Sequence, residues 1–336
     1  RQRQMCIRDR NNRIDYIDRM KGFAIFLVVM GHVLGFSFRQ PDDVAGRWIS
    51  SFHMPLFMFL SGLVASSGIV APYWSFGKLA KKLRGLLLPL FVFGLCYTFT
   101  FSKDIMSGMV GFAESPAKNG YWYLMTLAMF YLSLCLYRLN VKDKWYVNVA
   151  MAFGIWGGYF VLWKNFAQTT DYFCILNCGN FYPFFMLGVF ATKYGLLERL
   201  KNANWLFSVC IVAYALLFCV EMPVHCLLSL NKHIFLPFCM VAVVAYLFMA
   251  RHGKTSRIEQ ILEAVGKRTL DVYVLHYFFV NKICLDGLGH ELEATHNSLL
   301  LFVFVFLLSL VVTILSVGIG EILHKGRLLA KIVYGK

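Results

Sequence analysis

Charged residues are scarce in this sequence, and its cysteines follow no pattern that builds a disulfide-rich domain or holds zinc. Only 15% of the 336 residues are charged, whereas 59% are hydrophobic, which exceeds what one soluble core of ordinary design buries. The ten cysteines are scattered along the chain, without the paired spacing of a zinc site. Cys174 and Cys178 fall in one predicted loop, where two unrelated thiols are favoured over a disulfide. The composition excludes an ordinary soluble protein and predicts no metal site.

Long uncharged runs recur at lengths near the roughly 20 residues that cross a bilayer as a helix. Because the first run is itself a full span, with no small-residue cleavage pattern after it, we expect no cleavable signal peptide. The sequence predicts an all-α, polytopic integral membrane helix bundle of about ten transmembrane helices. They cover residues 20–38, 49–68, 85–102, 121–137, 145–163, 180–192, 204–221, 233–250, 269–285 and 298–322.

Basic residues are divided unevenly between the two sets of loops. If the N-terminus is cytoplasmic, ten spans return the C-terminus to the cytoplasm, and 26 of the 33 basic residues lie on that side. Cytoplasmic loops of membrane proteins carry such an excess, so both termini are predicted to be cytoplasmic. The net charge of +15 then reflects basic loops beside anionic lipid. Membrane lipids are expected partners, and nucleic acid is not.

The predicted domain organisation has three parts. Residues 1–12 look unlike a span or an amphipathic anchor and are interpreted as a non-native or disordered extension. Residues 13–330 form a single transmembrane domain, and 324–336 form a basic, partly apolar tail expected along the inner membrane surface. The sequence shows no repeat of the two-halves kind found in many secondary transporters. The oligomeric state, including a homo-oligomer, stays open.

Three histidines interrupt the apolar pattern of the predicted spans, where ionisable side chains are costly and usually functional. His32 follows Lys21 by 11 positions in the first span, which places both on one helical face about 16 Å apart. His53 enters the second, antiparallel span at a similar depth, and His276 lies in the ninth span. A two-histidine site formed by His32 and His53 is predicted.

Each of these residues also has a purely structural interpretation. An intramembrane histidine can serve as a helix-packing hydrogen bond. Lys21 can act as an anchor that snorkels to the membrane edge, and Asp18 as the cap of the first helix.

The spacing of Lys21 and His32 resembles the R/K-x10-H signature of the acyltransferase-3 family. This pair alone arises by chance, but further segments resemble the family's later landmarks in order, over about residues 13–330. The likeness is greatest to the fucose 4-O-acetylase-like branch. These segments are FHMPLFMFLSG at 52–62, KKLR at 81–84 followed by LP at 88–89, WYL at 122–124, FFMLG at 184–188 and LDVYVLH at 270–276.

The resemblance implies an O-acyltransferase of the bacterial inner (cytoplasmic) membrane. It would move an acyl group, usually acetyl, from cytoplasmic acyl-CoA to a hydroxyl of a carbohydrate or glycan at the outer face. Acetyl-CoA is then a co-substrate, and no metal is required. Because an alcohol needs a base to attack a thioester, His32 is the expected catalytic base, with His53 or Ser61 steadying the oxyanion. Direct transfer and an acylated His32 both remain open.

Two groups of binding residues complete this hypothesis. A cytoplasmic basic cluster is expected to hold the phosphates of CoA, although Lys21 and Lys81 stand where many members have Arg and give up bidentate phosphate binding. The positive-inside rule and an interfacial aromatic belt are the structural alternatives for these basic and aromatic residues. The cluster comprises Arg19, Lys21, Lys81, Lys82 and Arg84. The expected substrate-binding residues are Trp48, Trp122, Tyr123, Asp271, Tyr273 and His276.

A transporter or flippase is the alternative from another functional class. In that case the intramembrane histidines would relay protons, and the basic cluster would have no nucleotide to bind. Internal repeats and helices broken at the midplane would favour it.

Overall fold

The computed structural model describes residues 2–40, 44–69, 76–140, 142–219, 229–249, 256–294 and 298–335, with side chains except those of 2–15, 66–69, 293 and 327. Regular structure within these ranges is helical throughout. The α-helices are α1 (Gln2–His32), α2 (Val44–Ser50), α3 (His53–Ile69), α4 (Phe76–Phe101), α5 (Ile105–Glu114), α6 (Trp122–Leu134), α7 (Trp145–Phe166), α8 (Ile175–Lys193), α9 (Leu196–Lys201), α10 (Asn204–Cys219), α11 (Leu236–Met249), α12 (Arg257–Lys267), α13 (Thr269–Val280), α14 (Asp286–Ala294), α15 (Ser298–Lys325) and α16 (Arg327–Tyr334). Short π-helical turns cover Val33–Ser37 and Asn231–Phe235, and 3-10 turns cover Lys118–Gly120 and Cys135–Leu139.

The predicted all-α polytopic membrane bundle is confirmed. In the described part of the chain, eight helical segments are long and apolar enough to cross a membrane. They are Tyr16–Ser37, Val44–Ala65, Phe76–Phe101, Trp122–Leu139, Trp145–Phe166, Ile175–Lys193, Asn231–Met249 and Ser298–Lys325. The predicted spans at 204–221 and 269–285 correspond to the shorter apolar helices α10 and α13. Helix α5 was not predicted, and its ten residues reach only about 15 Å, half of a bilayer core.

The chain groups into two compact units, and the first contains residues 1–60 and 196–321. Within it, α1 packs along α12 and also contacts α11 and α13. The crossing with α12 is close because glycines face the partner backbone on both sides. A Cβ added to Gly22 would lie 1.9 Å from the carbonyl oxygen of Leu262, and one added to Gly266 would lie 1.8 Å from that of Asp18. The absence of side chains here lets the two backbones touch.

A second contact surface in the first unit joins α10 to α11. Its buried core comprises Cys210, Tyr214, Leu236, Cys239 and Val243. The indole of Trp48 packs against this core, and the hydroxyls of Ser51 and Tyr214 are 2.7 Å apart. The short helix α2 is thereby tied to the α10–α11 pair.

The second unit contains residues 61–195 and 322–336. Here α4 packs against α5, α6 and α16, while α8 packs against both α6 and α7. Gly62 allows a close approach to α8, since an added Cβ would lie 2.0 Å from the carbonyl oxygen of Phe185. In the predicted tail, the Tyr334 ring is buried and stacks on His324 at 4.4 Å between ring centroids. The predicted extension at 1–12, the single domain at 13–330 and the placement of the tail on the membrane surface stay predictions.

Candidate active site

His32, His276 and Tyr277 form a connected polar group within the first unit. The Nδ1 atom of His32 lies 2.9 Å from Nε2 of His276, and the hydroxyl of Tyr277 lies 2.8 Å from Nε2 of His32. Nδ1 of His276 lies 2.9 Å from the carbonyl oxygen of Val272. Four groups are thus linked by three hydrogen bonds between the end of α1 and the middle of α13.

The carbonyl of Val272 determines which ring nitrogen of each histidine carries the proton. A carbonyl oxygen only accepts, so Nδ1 of His276 must carry the hydrogen, and its Nε2 is then the acceptor in the neutral ring. Nδ1 of His32 therefore donates to His276. This leaves the lone pair of His32 on Nε2, where the Tyr277 hydroxyl donates to it. A base needs a nitrogen with a lone pair, and in His32 that nitrogen is Nε2.

The backbone around His32 is held in place on its C-terminal side. The α-helix gives way directly after His32 to the π-helical turn Val33–Ser37, a feature frequent at functional sites. Ser37 donates its hydroxyl to the carbonyl of Val280 at 3.0 Å, and its own carbonyl accepts from the amide of Leu285 at 2.8 Å. These two bonds tie the π-helical turn to the end of α13 and to the segment that follows it. The imidazoles of His32 and His276 are therefore carried by anchored elements.

His53, predicted to share a site with His32, is hydrogen-bonded to the protein backbone. Its Nδ1 donates to the carbonyl of Ile49 at 2.8 Å, which leaves Nε2 as the acceptor. The direct imidazole partner of His32 in the structure is His276. A catalytic role for His53 remains a prediction.

Asp271 and Tyr273 are buried on α13, in the turns before His276. The Asp271 carboxylate lies 3.6 Å from the guanidinium of Arg268. It also lies against α15, because a Cβ added to Gly320 would meet its side chain at 2.6 Å. The Tyr273 and His276 ring centroids are 6.1 Å apart. Asp271 thus has an ion-pair partner within the protein, and the predicted substrate role of both residues is untested.

The predicted phosphate-binding residues on α1, Arg19 and Lys21, are engaged with carboxylates. Lys21 donates to Asp18 at 3.0 Å. The guanidinium of Arg19 lies 3.7 Å from Glu259 and 3.9 Å from Glu263 on α12. Glu259 also closes the capping box of α12 by accepting from the amide of Ser256. Arg19 therefore contributes to the α1–α12 contact, and binding a phosphate would require it to exchange these partners.

The remaining predicted site residues belong to the second unit. The hydroxyls of Ser61 and Tyr123 are 2.6 Å apart, and the Trp122 indole stacks on Phe181 at 5.1 Å between centroids. The three basic residues on α4 that were predicted to bind phosphate are exposed and offer charge to an anion from solvent. They are Lys81, Lys82 and Arg84.

The sequence hypothesis did not include two polar residues that the structure buries. Tyr277 follows His276 directly, and an aromatic residue in an apolar helix gives no signal that its hydroxyl faces a histidine. Lys118 entered only the count of basic residues on the non-cytoplasmic side, and it is 2% exposed. Its ammonium donates to the carbonyls of Ala113 and Asp171, and burial lowers its pKa from the usual range. The burial of both residues depends on tertiary contacts that the spacing of residues in the sequence does not reveal.

Comparison with known protein families identifies the chain. The sequence profile of the acyltransferase-3 family, described as an acyltransferase domain, matches residues 14–318. The chain belongs to this family. It is therefore a multi-pass membrane protein with an acyltransferase domain, and the predicted membership of the acyltransferase-3 family is confirmed. The transporter alternative is not supported.

Two relatives from rhizobia are similar to part of the chain. The nodulation protein NolL of Sinorhizobium fredii is 32% identical over 158 residues, which is 43% of this chain and 42% of that protein. NolL of Mesorhizobium japonicum is 28% identical over 168 residues, or 45% of this chain and 44% of that protein. The match thus spans less than half the length of these relatives. No solved structure matches the chain.

Proposed function

We propose that this acyltransferase moves an acetyl group from cytoplasmic acetyl-CoA to a hydroxyl of a sugar or glycan at the outer face of the bacterial inner membrane. The observation that carries the proposal is the orientation of His32. Its Nε2 holds the lone pair, while Nδ1 is committed to His276. A neutral imidazole whose lone pair is on a defined nitrogen is suited to accept a hydroxyl proton.

The transfer step follows from this geometry. Nε2 of His32 takes the proton of the acceptor hydroxyl as that oxygen attacks the thioester carbonyl. The tetrahedral intermediate then collapses, the carbon–sulfur bond breaks, and the leaving CoA thiolate receives the proton from Nε2. While His32 is protonated, His276 still accepts from its Nδ1 and passes the interaction on to the Val272 carbonyl. These two hydrogen bonds stabilise the imidazolium of His32, which is the role of the third group in hydrolase triads.

The donor and acceptor contacts are also part of the proposal. Phosphates of CoA carry several negative charges, and lysine and arginine are their usual protein partners. In the second unit the exposed residues Lys81, Lys82 and Arg84 supply this charge. In the first unit Lys21 is half-buried and keeps one carboxylate partner. Aromatic residues such as Trp48 and Trp122 are the proposed contacts for a sugar ring.

Calorimetric titration of the purified full chain with acetyl-CoA tests the donor. Saturable binding is expected, and Lys21→Ala and Arg84→Ala should each weaken it about tenfold, since each removes one charge-assisted contact. Lys142→Ala is the matched control, because Lys142 is another exposed basic residue on the predicted cytoplasmic side. Absence of binding to acetyl-CoA and to longer acyl-CoAs would reject an acyl-CoA donor. Equal weakening by the Lys142 variant would reject a localised phosphate site.

A further inference from the structure

We propose that Tyr277 masks the catalytic base until an acceptor displaces it, and so suppresses hydrolysis of the acyl donor by water. This inference rests on the proposed function, because it concerns what His32 does when the acceptor is absent. It begins with the bond between the Tyr277 hydroxyl and Nε2 of His32, which measures 2.8 Å. That nitrogen is the atom that would deprotonate either an acceptor hydroxyl or a water molecule.

A neutral imidazole has one lone pair in the plane of its ring. In His32 this lone pair is on Nε2, because Nδ1 donates to His276. The phenol donates to the same lone pair, so a second O–H donor cannot use it at the same time. Any hydroxyl that is to be deprotonated must first take the place of the phenol.

The phenol is held where it is by packing on both imidazoles. The ring centroid of Tyr277 lies 4.6 Å from that of His32 and 4.4 Å from that of His276. The ring of Phe36 lies 6.0 Å away in an edge-on arrangement. The Tyr277 side chain is buried. Its hydroxyl is therefore pre-positioned, and little entropy is lost when it forms the bond.

This pre-positioning affects water and the acceptor differently. A water molecule gains about one hydrogen bond at Nε2 and must break an equivalent bond to the phenol. The exchange therefore brings no net gain in hydrogen-bonding free energy. An acceptor held by additional contacts brings binding free energy with which it can displace the phenol. The arrangement therefore favours transfer over hydrolysis, although both use the same base.

The side reaction that the phenol would suppress is a complete chemical step. Nε2 of His32 takes a proton from water as the water oxygen attacks the thioester carbonyl. The carbon–sulfur bond breaks, acetic acid is released, and the CoA thiolate receives the proton from Nε2. The reaction needs nothing besides water and the donor.

Tyr277→Phe tests the proposal, because it removes the hydroxyl and keeps the ring. Two rates are measured on the purified full chain in detergent without acceptor. The first is the release of CoA from acetyl-CoA, followed by chromatography. The second is ethoxyformylation of His32 by diethyl pyrocarbonate, followed by mass spectrometry of its peptide with exposed His290 as the internal reference. Both should rise about fivefold in the variant, the factor expected for losing one net hydrogen bond.

The matched control is Tyr146→Phe, since this tyrosine is half-exposed on α7 and both rates should match those of the wild type. Unchanged ethoxyformylation of His32 in Tyr277→Phe would overturn the masking. So would a large loss of transfer without any rise in hydrolysis, because the hydroxyl would then be needed in the reaction itself. If His32 reacts faster but no form of the protein consumes acetyl-CoA, the masking by Tyr277 is supported and the proposed acyl-CoA donor is rejected.

Discussion

His32 and His276 are 244 positions apart in the chain, yet their imidazole nitrogens lie 2.9 Å from each other. His276 in turn donates to the backbone carbonyl of its own helix at Val272. A main-chain carbonyl cannot reverse its role, so it fixes the direction of both imidazole bonds. His32, the proposed base, is therefore oriented by the backbone of α13 through a second histidine.

Replacing the base should abolish the transfer reaction while leaving the fold intact. We expect His32→Ala to lower acetyl transfer into the envelope fraction by about 10²- to 10⁴-fold, the usual contribution of a positioned base. The measurement is incorporation of labelled acetyl groups by membranes that contain equal amounts of each protein. His290→Ala is the control, because His290 is exposed and pairs with Asp286. Wild-type incorporation by the His32 variant would contradict the mechanism.

Loss of the orienting histidine should affect turnover more than substrate binding. In His276→Ala the Nδ1–H of His32 loses its acceptor and only the bond to Tyr277 still orients the ring, so we expect kcat to fall about 10²-fold with KM little changed. His276→Gln offers an amide oxygen as a replacement acceptor and should recover part of the rate.

Nitrogen NMR of labelled imidazole provides a readout that packing alone would not change. The wild type should show His32 protonated on Nδ1, and His276→Ala should show a mixture of tautomers. A variant with normal kcat, or with an unchanged tautomer, would refute the orienting role.

The close crossing of α1 and α12 should not tolerate a methyl group. We expect Gly22→Ala and Gly266→Ala each to lower the free energy of unfolding by about 1–3 kcal/mol, because the added carbon would overlap a partner carbonyl. Gly318→Ala is the control, since nothing lies within 4 Å of its added Cβ. Thermal unfolding in detergent gives the comparison. Equal melting temperatures for Gly22→Ala and Gly318→Ala would show that the helices are not in backbone contact.

The hydroxyl pair of Ser61 and Tyr123 should behave as one interaction. Their oxygens are 2.6 Å apart, so Ser61→Ala and Tyr123→Phe each remove the same bond. In a double-mutant cycle we expect a coupling of about 1 kcal/mol in the free energy of unfolding. Chemical denaturation of the four proteins provides the measurement. Additive effects of the two substitutions would mean that the hydroxyls do not interact.

The residues that make the site were partly visible in the sequence. His32 and His276 interrupt apolar runs, and that alone singled them out, but the predicted two-histidine site combined His32 with His53, and the hydrogen bond between His32 and His276 was not predicted. The identity of the partner depends on which helix faces α1, and helices distant in sequence meet through packing that local spacing does not encode. The hydroxyl of Tyr277 was overlooked for the same reason. Arg19 was assigned to phosphate, whereas docking of α12 brings Glu259 and Glu263 beside it.

The sequence by itself determined the class of protein, the positions of the long apolar helices and the family. These properties depend on local composition and on the order of short motifs, because a bilayer demands about 20 apolar residues per span wherever they occur. It did not predict α5, which is too short for that pattern. The side chain of Asp104 caps this helix by accepting hydrogen bonds from the amides of Met106 and Ser107. Only the tertiary structure decided which histidine orients His32, which nitrogen bears its lone pair and which hydroxyl covers it. Hydrogen bonds are directional over about 3 Å, so these properties exist only once α1 and α13 are packed together.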